Sequence, residues 1–300
     1  MSCNTCVTAT TPATKMKDFA SENLFTWCTN CGNYGINAAM RRSLVELNIK
    51  PCETITCFDI GCNGNGADKI GGYTFHGLHG RVIPLACGVS LANTENKIIA
   101  FGGDGGTLGE GVGHLVHGIR GNYNVTFILH NNLNYGLTKG QASATTKKTM
   151  KMDSSPNGIT SEQLHPVRFV LALESTFVAR TFSGDVHHMT KTFTEAINHQ
   201  GFSFVEVMQS CPTYNKETPH EWYQQRVFDV STVEGYDSSN RAQAFQIGED
   251  IENKIAIGVL YQDKNSIPQE KRQLNRIQIK TQLIEETKQY AIEDLLTAFR

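Results

Sequence analysis

Residues 97–106, Lys97-Ile98-Ile99-Ala100-Phe101-Gly102-Gly103-Asp104-Gly105-Gly106, decide the fold of this chain. The run 97–101 is short and apolar, which predicts a buried strand. That strand delivers a glycine cluster with Asp104 at its centre, and glycines let backbone N–H groups approach an anion closely. A second apolar run at 125–129 predicts another strand, which delivers Asn132. We therefore expect Asp104 and Asn132 to meet at one edge of a sheet.

These residues match the ligand chemistry of magnesium bound to a diphosphate. Mg²⁺ prefers an octahedron of hard oxygen atoms. Asp104, the Asn132 amide oxygen and a main-chain carbonyl at Asn134 would supply part of it, and a diphosphate and water the rest. The alternatives are a surface turn beside an unrelated asparagine pair, or a dinucleotide-binding loop. The dinucleotide loop fits worse, because Gly103 and Gly105 are not followed by the third glycine of that motif.

Length, composition and charge limit the classes of protein to which this chain can belong. The chain has 300 residues with 39% apolar content, enough for one large domain or one domain with an appendage. A net charge of −2 provides no excess of positive charge that would attract nucleic acid or an anionic membrane. No apolar run approaches the roughly 20 residues that span a bilayer, and residues 1–6 lack the features of a secretion signal. We expect a soluble cytoplasmic protein with neither nucleic acid nor membrane as a partner.

Strands and helices alternate along most of the sequence. Apolar runs predict strands at 55–60, 97–101, 125–129, 177–180 and 204–208. Helical periodicity after Gly32 and at 83–93, 112–120, 165–174 and 185–199 predicts the intervening helices. This alternation is typical of a doubly wound α/β fold, a mostly parallel sheet with helices on both faces. Sites in such folds lie at the carboxyl ends of the strands.

The ends of the chain differ from this pattern. Residues 1–22 are rich in small polar residues and predict a loose leader, and residues 23–225 form the predicted binding domain. Residues 226–300 form a C-terminal extension, with an edge strand at 254–261 and a charged helical tail at 271–300. Residues 138–163 are polar and predict a long functional loop.

Nine cysteines are the second unusual feature of the sequence. Cys28 and Cys31 share one turn, whereas Cys62 and Cys211 follow two different predicted strands. Four thiolates gathered in this way suit a [4Fe–4S] cluster or a structural zinc ion, and the third interpretation is unliganded core cysteine. Context favours the cluster, because Cys62 belongs to a glycine-rich loop at the diphosphate edge. Cys3 and Cys6 make a weak case for a second cluster. Core positions are predicted for Cys52, Cys57 and Cys87.

The motifs, taken in order, resemble a known family. A Gly-Asp-Gly followed by Asn131-Asn132 is similar to the thiamine diphosphate motif of thiamine-dependent enzymes. Six ordered motifs across residues 24–225 together resemble the beta subunit of the 2-oxoacid:ferredoxin oxidoreductases. They are the segments 27–33, 60–62, 75–81, 102–105, 135–143 and 211–215. The fold that this resemblance implies is the pyrophosphate-binding type of thiamine diphosphate domain.

The resemblance also implies a set of site residues. A [4Fe–4S] cluster would be held by Cys28, Cys31, Cys62 and Cys211. Mg²⁺ would be held by Asp104, Asn132 and the Asn134 carbonyl. Thiamine diphosphate would be contacted by Ile60, Gly61, Cys62, Asn63, His79, Gly105, Gly106, Gly136 and Leu137. His79 is the candidate catalytic residue, with a structural loop histidine as the alternative.

The activity implied is the oxidative decarboxylation of a 2-oxo acid with coenzyme A, with electrons passing through the cluster to ferredoxin. The segment 76–81 resembles the 2-oxoglutarate or broad-specificity branch of the family more than the pyruvate branch. The expected substrate is 2-oxoglutarate, and pyruvate or another 2-oxo acid is the alternative. Asn65 stands where some relatives carry a lysine near the substrate. The carboxylate that activates thiamine would come from an alpha subunit with the pyrimidine-binding domain, so we expect an α2β2 heterotetramer and a chain that is inactive alone.

Two rival functions remain at the level of sequence. A non-oxidative thiamine-dependent decarboxylase or synthase would need Asp104 and Asn132 but not the four cysteines. A zinc-stabilised binding protein would use the cysteines and bind no thiamine diphosphate.

Overall fold

The computed structural model describes residues 13–276, 278–286 and 296–297. Within them, eight strands form one sheet in the order β2-β1-β3-β4-β6-β5-β8-β7. The strands are β1 (Thr54–Phe58), β2 (Tyr73–His76), β3 (Lys97–Gly103), β4 (Thr126–Asn131), β5 (Phe177–Phe182), β6 (Ser203–Met208), β7 (Val227–Asp229) and β8 (Ile255–Gln262). Cys3 and Cys6 lie outside the described residues.

Six strands run parallel. Phe101 pairs with Phe58 of β1 on one side and with Ile128 of β4 on the other, so β3 lies between these two strands. The continuation through β6 and β5 is also parallel, and β8 pairs antiparallel with β5. The predicted mostly parallel sheet is confirmed.

Helices cover both faces of the sheet. They are α1 (Asn33–Glu46), α2 (Val82–Ala92), α3 (Val112–Gly121), α4 (Pro166–Ala172), α5 (Val186–Asn198), α6 (His220–Gln224), α7 (Arg241–Ile247) and α8 (Gln269–Arg272). Side chains alternate along β3: Ala100 faces the core beneath α2 and α3, whereas Ile99 faces the core beneath α1 and α5. Both strand faces are therefore buried, as expected for a doubly wound sheet.

The C-terminal region differs from the elements that its sequence predicts. The segment predicted as an edge strand at 254–261 is β8, which lies between β5 and β7 and is not at the edge. The outer strand β7 has three residues, too few to show a sequence pattern. In the described part of the predicted helical tail, α8 covers the first two residues, 3₁₀ turns follow at Leu274–Arg276 and Leu283–Glu286, and residues 296–297 are also helical. Much of the remaining tail lies outside the described residues.

The sheet order determines where the loops meet. The neighbouring strands β1, β3, β4 and β6 all end at the same edge, and their loops carry Cys62, Asp104, Asn132 and Cys211. The long polar loop predicted at 138–163 contains no helix or named strand, and it buries Met150 and Met152. None of the described helices has the length and apolar character needed to cross a membrane.

Candidate functional site

A pocket opens where the carboxyl ends of these four strands meet. It contains about 490 Å³ of empty space, part of it open to solvent. All the residues predicted to contact thiamine diphosphate line it: Ile60, Gly61, Cys62, Asn63, His79, Gly105, Gly106, Gly136 and Leu137. The predicted magnesium ligands Asp104, Asn132 and Asn134 line it as well. The structure thus brings these two sets of residues together.

Asp104 lies directly after β3, where the chain enters a π-helical turn at Gly105–Glu110. Its carboxylate accepts hydrogen bonds from Ser143 at 2.5 Å and Thr145 at 2.6 Å, both on Oδ2. Burial raises the pKa of Asp104 to about 6, although these hydrogen bonds oppose the shift. Neither hydroxyl contacts Oδ1. The carboxylate is therefore held in place with one oxygen unengaged by these donors.

Hydrogen bonds between two asparagines hold the conformation of the loop after β4. The Asn134 backbone N–H donates to Asn132 Oδ1 at 3.1 Å, and the Asn134 amide donates to the Asn132 carbonyl at 2.9 Å. Leu133 between them has a φ of 63°, in the left-handed region. A carboxylate, an amide oxygen and a nearby main-chain carbonyl are the hard oxygen donors that Mg²⁺ prefers. The residues present fit a magnesium ion.

Two glycines shape the wall beside Asp104. A Cβ added at Gly105 would stand 2.4 Å from the Tyr135 ring, and one at Gly106 would stand 2.4 Å from Asp59 Oδ2. Any larger residue would collide with these neighbours. The backbone therefore passes close to the pocket here, as a diphosphate-binding loop requires.

A buried polar chain supports Asp104 from behind. The Thr145 hydroxyl also lies 2.9 Å from Asn131 Oδ1, and the Asn131 amide donates to Glu206 Oε1 at 2.7 Å. Glu206 in turn accepts from Arg180 Nε at 2.8 Å, in an ion pair whose side chains are 1% and 2% exposed. Arg180 also approaches the carbonyls of Ala256 and Gly248. This chain links β5, β6 and β8 to the pocket.

His79 also lines the pocket. Its Nδ1 lies 2.9 Å from Glu110 Oε2, close enough for an ion pair, although the angle falls outside hydrogen-bond geometry. Beneath it, Asp59 is buried and accepts from the backbone N–H groups of Ile60 and Gly80 at 2.9 and 2.8 Å. Burial raises the pKa of Asp59. Its Oδ2 has no hydrogen-bond partner among the described residues.

The four candidate cluster cysteines converge beside the pocket. Cys62 lines it, and a Cβ at Gly136 would stand 3.4 Å from Cys62 Sγ. Cys211 Sγ lies 3.9 Å from Asn134 Oδ1. Burial, together with the charges of Cys31, Cys211 and Cys28, raises the pKa of Cys62 to about 12. The thiols are near enough to influence one another.

Zinc and an iron–sulfur cluster are both candidate ligands for these four thiols. Across the described residues, no three His, Cys, Asp or Glu side chains are arranged to hold a single metal ion. Zinc binds four sulfurs at about 2.3 Å, which places the sulfurs roughly 3.8 Å apart. A [4Fe–4S] cluster spreads its four cysteine ligands around a larger body. Four cysteine thiols are a donor set that either group can use. Of the predicted core cysteines, Cys57 and Cys87 are buried, whereas Cys52 is half-buried.

Sequence reasoning missed two residues on the pocket floor, His130 and Gln209. His130 Nδ1 lies 2.8 Å from Asn33 Oδ1, and burial lowers the pKa of His130 to about 3, so its ring is neutral. The Gln209 amide donates to Cys31 Sγ at 3.6 Å. Both residues stand at a strand end beside a predicted ligand, which is the signal that could have identified them.

Two known protein families match successive parts of the chain. Residues 59–207 match the thiamine pyrophosphate enzyme, C-terminal TPP binding domain. Residues 211–277 match the C-terminal domain of the pyruvate ferredoxin oxidoreductase beta subunit.

Individual relatives cover most of the chain. The beta subunit of 2-oxoacid:ferredoxin oxidoreductase 1 from Aeropyrum pernix is 38% identical over 78% of this chain and 77% of its own length. The 2-oxoglutarate oxidoreductase subunit KorB from Mycobacterium tuberculosis is 37% identical over 71% of this chain and 57% of its own length. A solved structure of 2-oxoglutarate:ferredoxin oxidoreductase from Magnetococcus marinus, with 2-oxoglutarate, coenzyme A and succinyl-CoA bound, superposes with a TM-score of 0.84. It is 30% identical, and the match covers 96% of both chains.

Proposed function

The chain belongs to the beta subunits of the 2-oxoacid:ferredoxin oxidoreductases, which are thiamine diphosphate-dependent enzymes, and we propose that its substrate is 2-oxoglutarate. The overall reaction joins the substrate to coenzyme A as succinyl-CoA, releases CO₂ and passes a pair of electrons to ferredoxin. The names of the mycobacterial relative and of the Magnetococcus structure support this choice of substrate. Pyruvate or another 2-oxo acid is the alternative, because Asn65 stands where some relatives carry a lysine.

One observation carries the proposal. Cys62, a candidate cluster ligand, lines the same pocket as Asp104, the candidate magnesium ligand. A redox centre at that position lies beside the chemistry that releases the electrons. A non-oxidative thiamine enzyme would not need a redox centre at this position. A zinc-stabilised binding protein would not need a magnesium ligand at Asp104.

Asp104, Asn132 and the Asn134 carbonyl would hold Mg²⁺, and the loop at 60–63, with Gly105, Gly106, Gly136 and Leu137, would bind thiamine diphosphate. When bound, this cofactor supplies the nucleophilic carbon and the electron sink for decarboxylation. Ser143 and Thr145 hold the Asp104 carboxylate through Oδ2. Asp104 can therefore present its remaining oxygen to the metal without rearranging.

His79 is the proposed catalytic residue. It lines the same pocket as Asp104, and Glu110 lies beside its Nδ1. A carboxylate beside one imidazole nitrogen leaves the other nitrogen to act on a ligand. We infer that His79 hydrogen-bonds the substrate carboxylate or the oxygen that develops from the 2-oxo group.

Cys28, Cys31, Cys62 and Cys211 are proposed to ligate the [4Fe–4S] cluster. In the bare chain, burial keeps the Cys62 thiol protonated, and a bound metal would favour its thiolate. Iron would therefore displace the proton of the Cys62 thiol.

An alpha subunit is the partner that would complete the active site. One thiamine-binding domain is matched, over residues 59–207, and the carboxylate beside the aminopyrimidine ring would come from the alpha subunit. Two copies of each chain in an α2β2 assembly would follow from twofold symmetry. The proposed binding domain spans residues 23–225, and the proposed extension at 226–300 contributes β8, which pairs with β5 in the same sheet. Of the proposed leader at 1–22, residues 1–12 lie outside the described residues, and Met16–Phe19 form a 3₁₀ turn with Phe19 buried.

The test is coenzyme A-dependent reduction of ferredoxin by the anaerobically reconstituted alpha–beta complex. We expect turnover with 2-oxoglutarate, a lower kcat/KM with pyruvate, and none with the isolated chain. A preference for pyruvate would overturn the substrate assignment. Turnover by the isolated chain would overturn the role given to the alpha subunit.

A further inference from the structure

We propose that Gln209 raises the reduction potential of the cluster by donating a hydrogen bond from its side-chain amide to the Cys31 sulfur. The inference rests on the proposed cluster ligation. It assigns a role to a residue that is neither a cluster ligand nor a predicted cofactor contact.

Gln209 is held firmly in position. It directly follows β6, is 1% exposed, and donates its backbone N–H to the Asn131 carbonyl at 2.9 Å. A Cβ added at Gly32 would stand 2.6 Å from Gln209 Cγ. The glycine beside Cys31 therefore lets this side chain pass close to the turn that carries Cys28 and Cys31.

In the contact between Gln209 and Cys31, the amide is the donor and the sulfur the acceptor, which is the hydrogen-bond direction that changes the reduction potential of a cluster. Gln209 Nε2 lies 3.6 Å from Cys31 Sγ. Over the described part of the chain, it is the one side-chain N–H that donates to the sulfur of a candidate cluster ligand. The other side-chain contact of a candidate ligand joins Cys211 Sγ to Asn134 Oδ1, an oxygen that cannot donate to a thiolate. Reduction makes a cluster more negative, so a donor to its sulfur stabilises the reduced form and raises the potential.

The same side chain faces the pocket. Gln209 lines the floor beside His130, and its Oε1 is buried without a hydrogen-bond partner among the described residues. Its position between pocket and sulfur makes Gln209 a positioning residue for the acceptor side of the reaction. His130 is neutral, because burial lowers its pKa to about 3, so it contributes no charge that would replace the effect of the amide.

The experiment compares Gln209→Met with Gln209→Glu in the complete alpha–beta complex, prepared anaerobically. Methionine keeps the length of the side chain but has no N–H, and glutamate keeps the shape but replaces the amide donor with a carboxylate. Tyr34→Phe is the matched control, because the Tyr34 hydroxyl donates to the Trp27 carbonyl at 3.2 Å near the same turn and to no sulfur. Iron and sulfide are assayed first, and the midpoint potential is then measured by EPR-monitored titration.

We expect both Gln209 variants to keep their iron and to shift the midpoint potential to more negative values, with Tyr34→Phe unchanged. A cluster whose potential is the same in all proteins would overturn the role of Gln209. An equal shift in the Tyr34 control would also overturn it, because the effect would then be a general one of this turn. Absence of iron from the unmodified complex would instead defeat the proposed function itself.

Discussion

The Thr145 hydroxyl donates a 2.6 Å hydrogen bond to Asp104 Oδ2, and this contact joins the candidate magnesium ligand to a buried polar chain. The chain continues through Asn131 and Glu206 to Arg180. Asp104 is itself buried, so the orientation of its carboxylate depends on these neighbours. The pocket edge is thereby tied to the interior of the sheet.

Replacing Thr145 with valine should weaken magnesium binding. The variant keeps the β-branched shape but loses the donor to Asp104, and removal of a group that supports a metal ligand typically costs roughly 10- to 100-fold in affinity. We expect an increase of about tenfold in the magnesium concentration that half-saturates thiamine diphosphate binding, measured by calorimetry on the alpha–beta complex. Thr192→Val removes a buried hydroxyl bonded to the His188 carbonyl on α5 and should leave the value unchanged. Equal effects of the two substitutions would contradict the role of Thr145.

Removing one partner of the buried Arg180–Glu206 ion pair should destabilise the chain more than removing both partners. Glu206→Leu would leave the guanidinium of Arg180 buried without its partner, at a cost of about 3–5 kcal/mol in the free energy of unfolding. The double variant with Arg180→Met removes both charges and should recover most of that loss. Denaturant unfolding of the full chain measures both values. A double variant no more stable than Glu206→Leu would show that the ion pair is not the cause.

His79 and Glu110 should be coupled in catalysis. We expect His79→Ala to lower kcat about 100-fold, in the range of a lost hydrogen-bonding or acid–base group. Glu110→Gln should lower kcat less, and should have little further effect in the His79→Ala background because it acts through the imidazole. Steady-state ferredoxin reduction provides the double-mutant cycle, and Glu162→Gln, at an exposed ion pair with Lys148, is the control. Strictly additive losses would contradict this coupling.

The fold and the position of the site followed from local sequence patterns. The runs at 97–101 and 125–129 became β3 and β4, because strands buried on both faces have continuous apolar sequences. Their carboxyl-terminal loops met at one pocket because parallel neighbours end at the same edge. Asp104 and Asn132 were therefore predictable as neighbours without any knowledge of the structure.

Other features depend on tertiary contacts that leave no local pattern. β2 is exposed at three of its four positions, so it lacks the apolar signal of the other strands. Thr145 and Gln209 are ordinary polar residues whose importance comes from the side chains they contact. The antiparallel direction of β8 depends on where the chain returns to the sheet, which its composition does not specify.

His199 should limit stability in mild acid. It is 6% exposed, its Nε2 lies 2.9 Å from the Thr176 hydroxyl, and burial lowers its pKa from 6.5 to about 4. The unfolded chain takes up this proton more readily than the folded chain. The contribution of His199 to stability is therefore complete above about pH 6.5 and is lost as the pH falls towards about 4, by at most about 3 kcal/mol.

Denaturant unfolding of the full chain between about pH 7 and pH 4 measures this effect. His199→Asn should flatten the acid side of the stability curve, whereas the same substitution at the exposed His187 should not. An acid loss that is identical in wild type and His199→Asn would rule out His199 as its origin.

We propose that this chain places a redox cluster at the edge of a thiamine diphosphate pocket. Iron, sulfide and zinc analysis of the anaerobically purified chain, with an EPR spectrum after dithionite reduction, tests this placement. We expect about four irons per chain, as in a [4Fe–4S] cluster, with a reducible signal that is lost in Cys62→Ser. Zinc, or no metal after careful reconstitution with iron and sulfide, would contradict it.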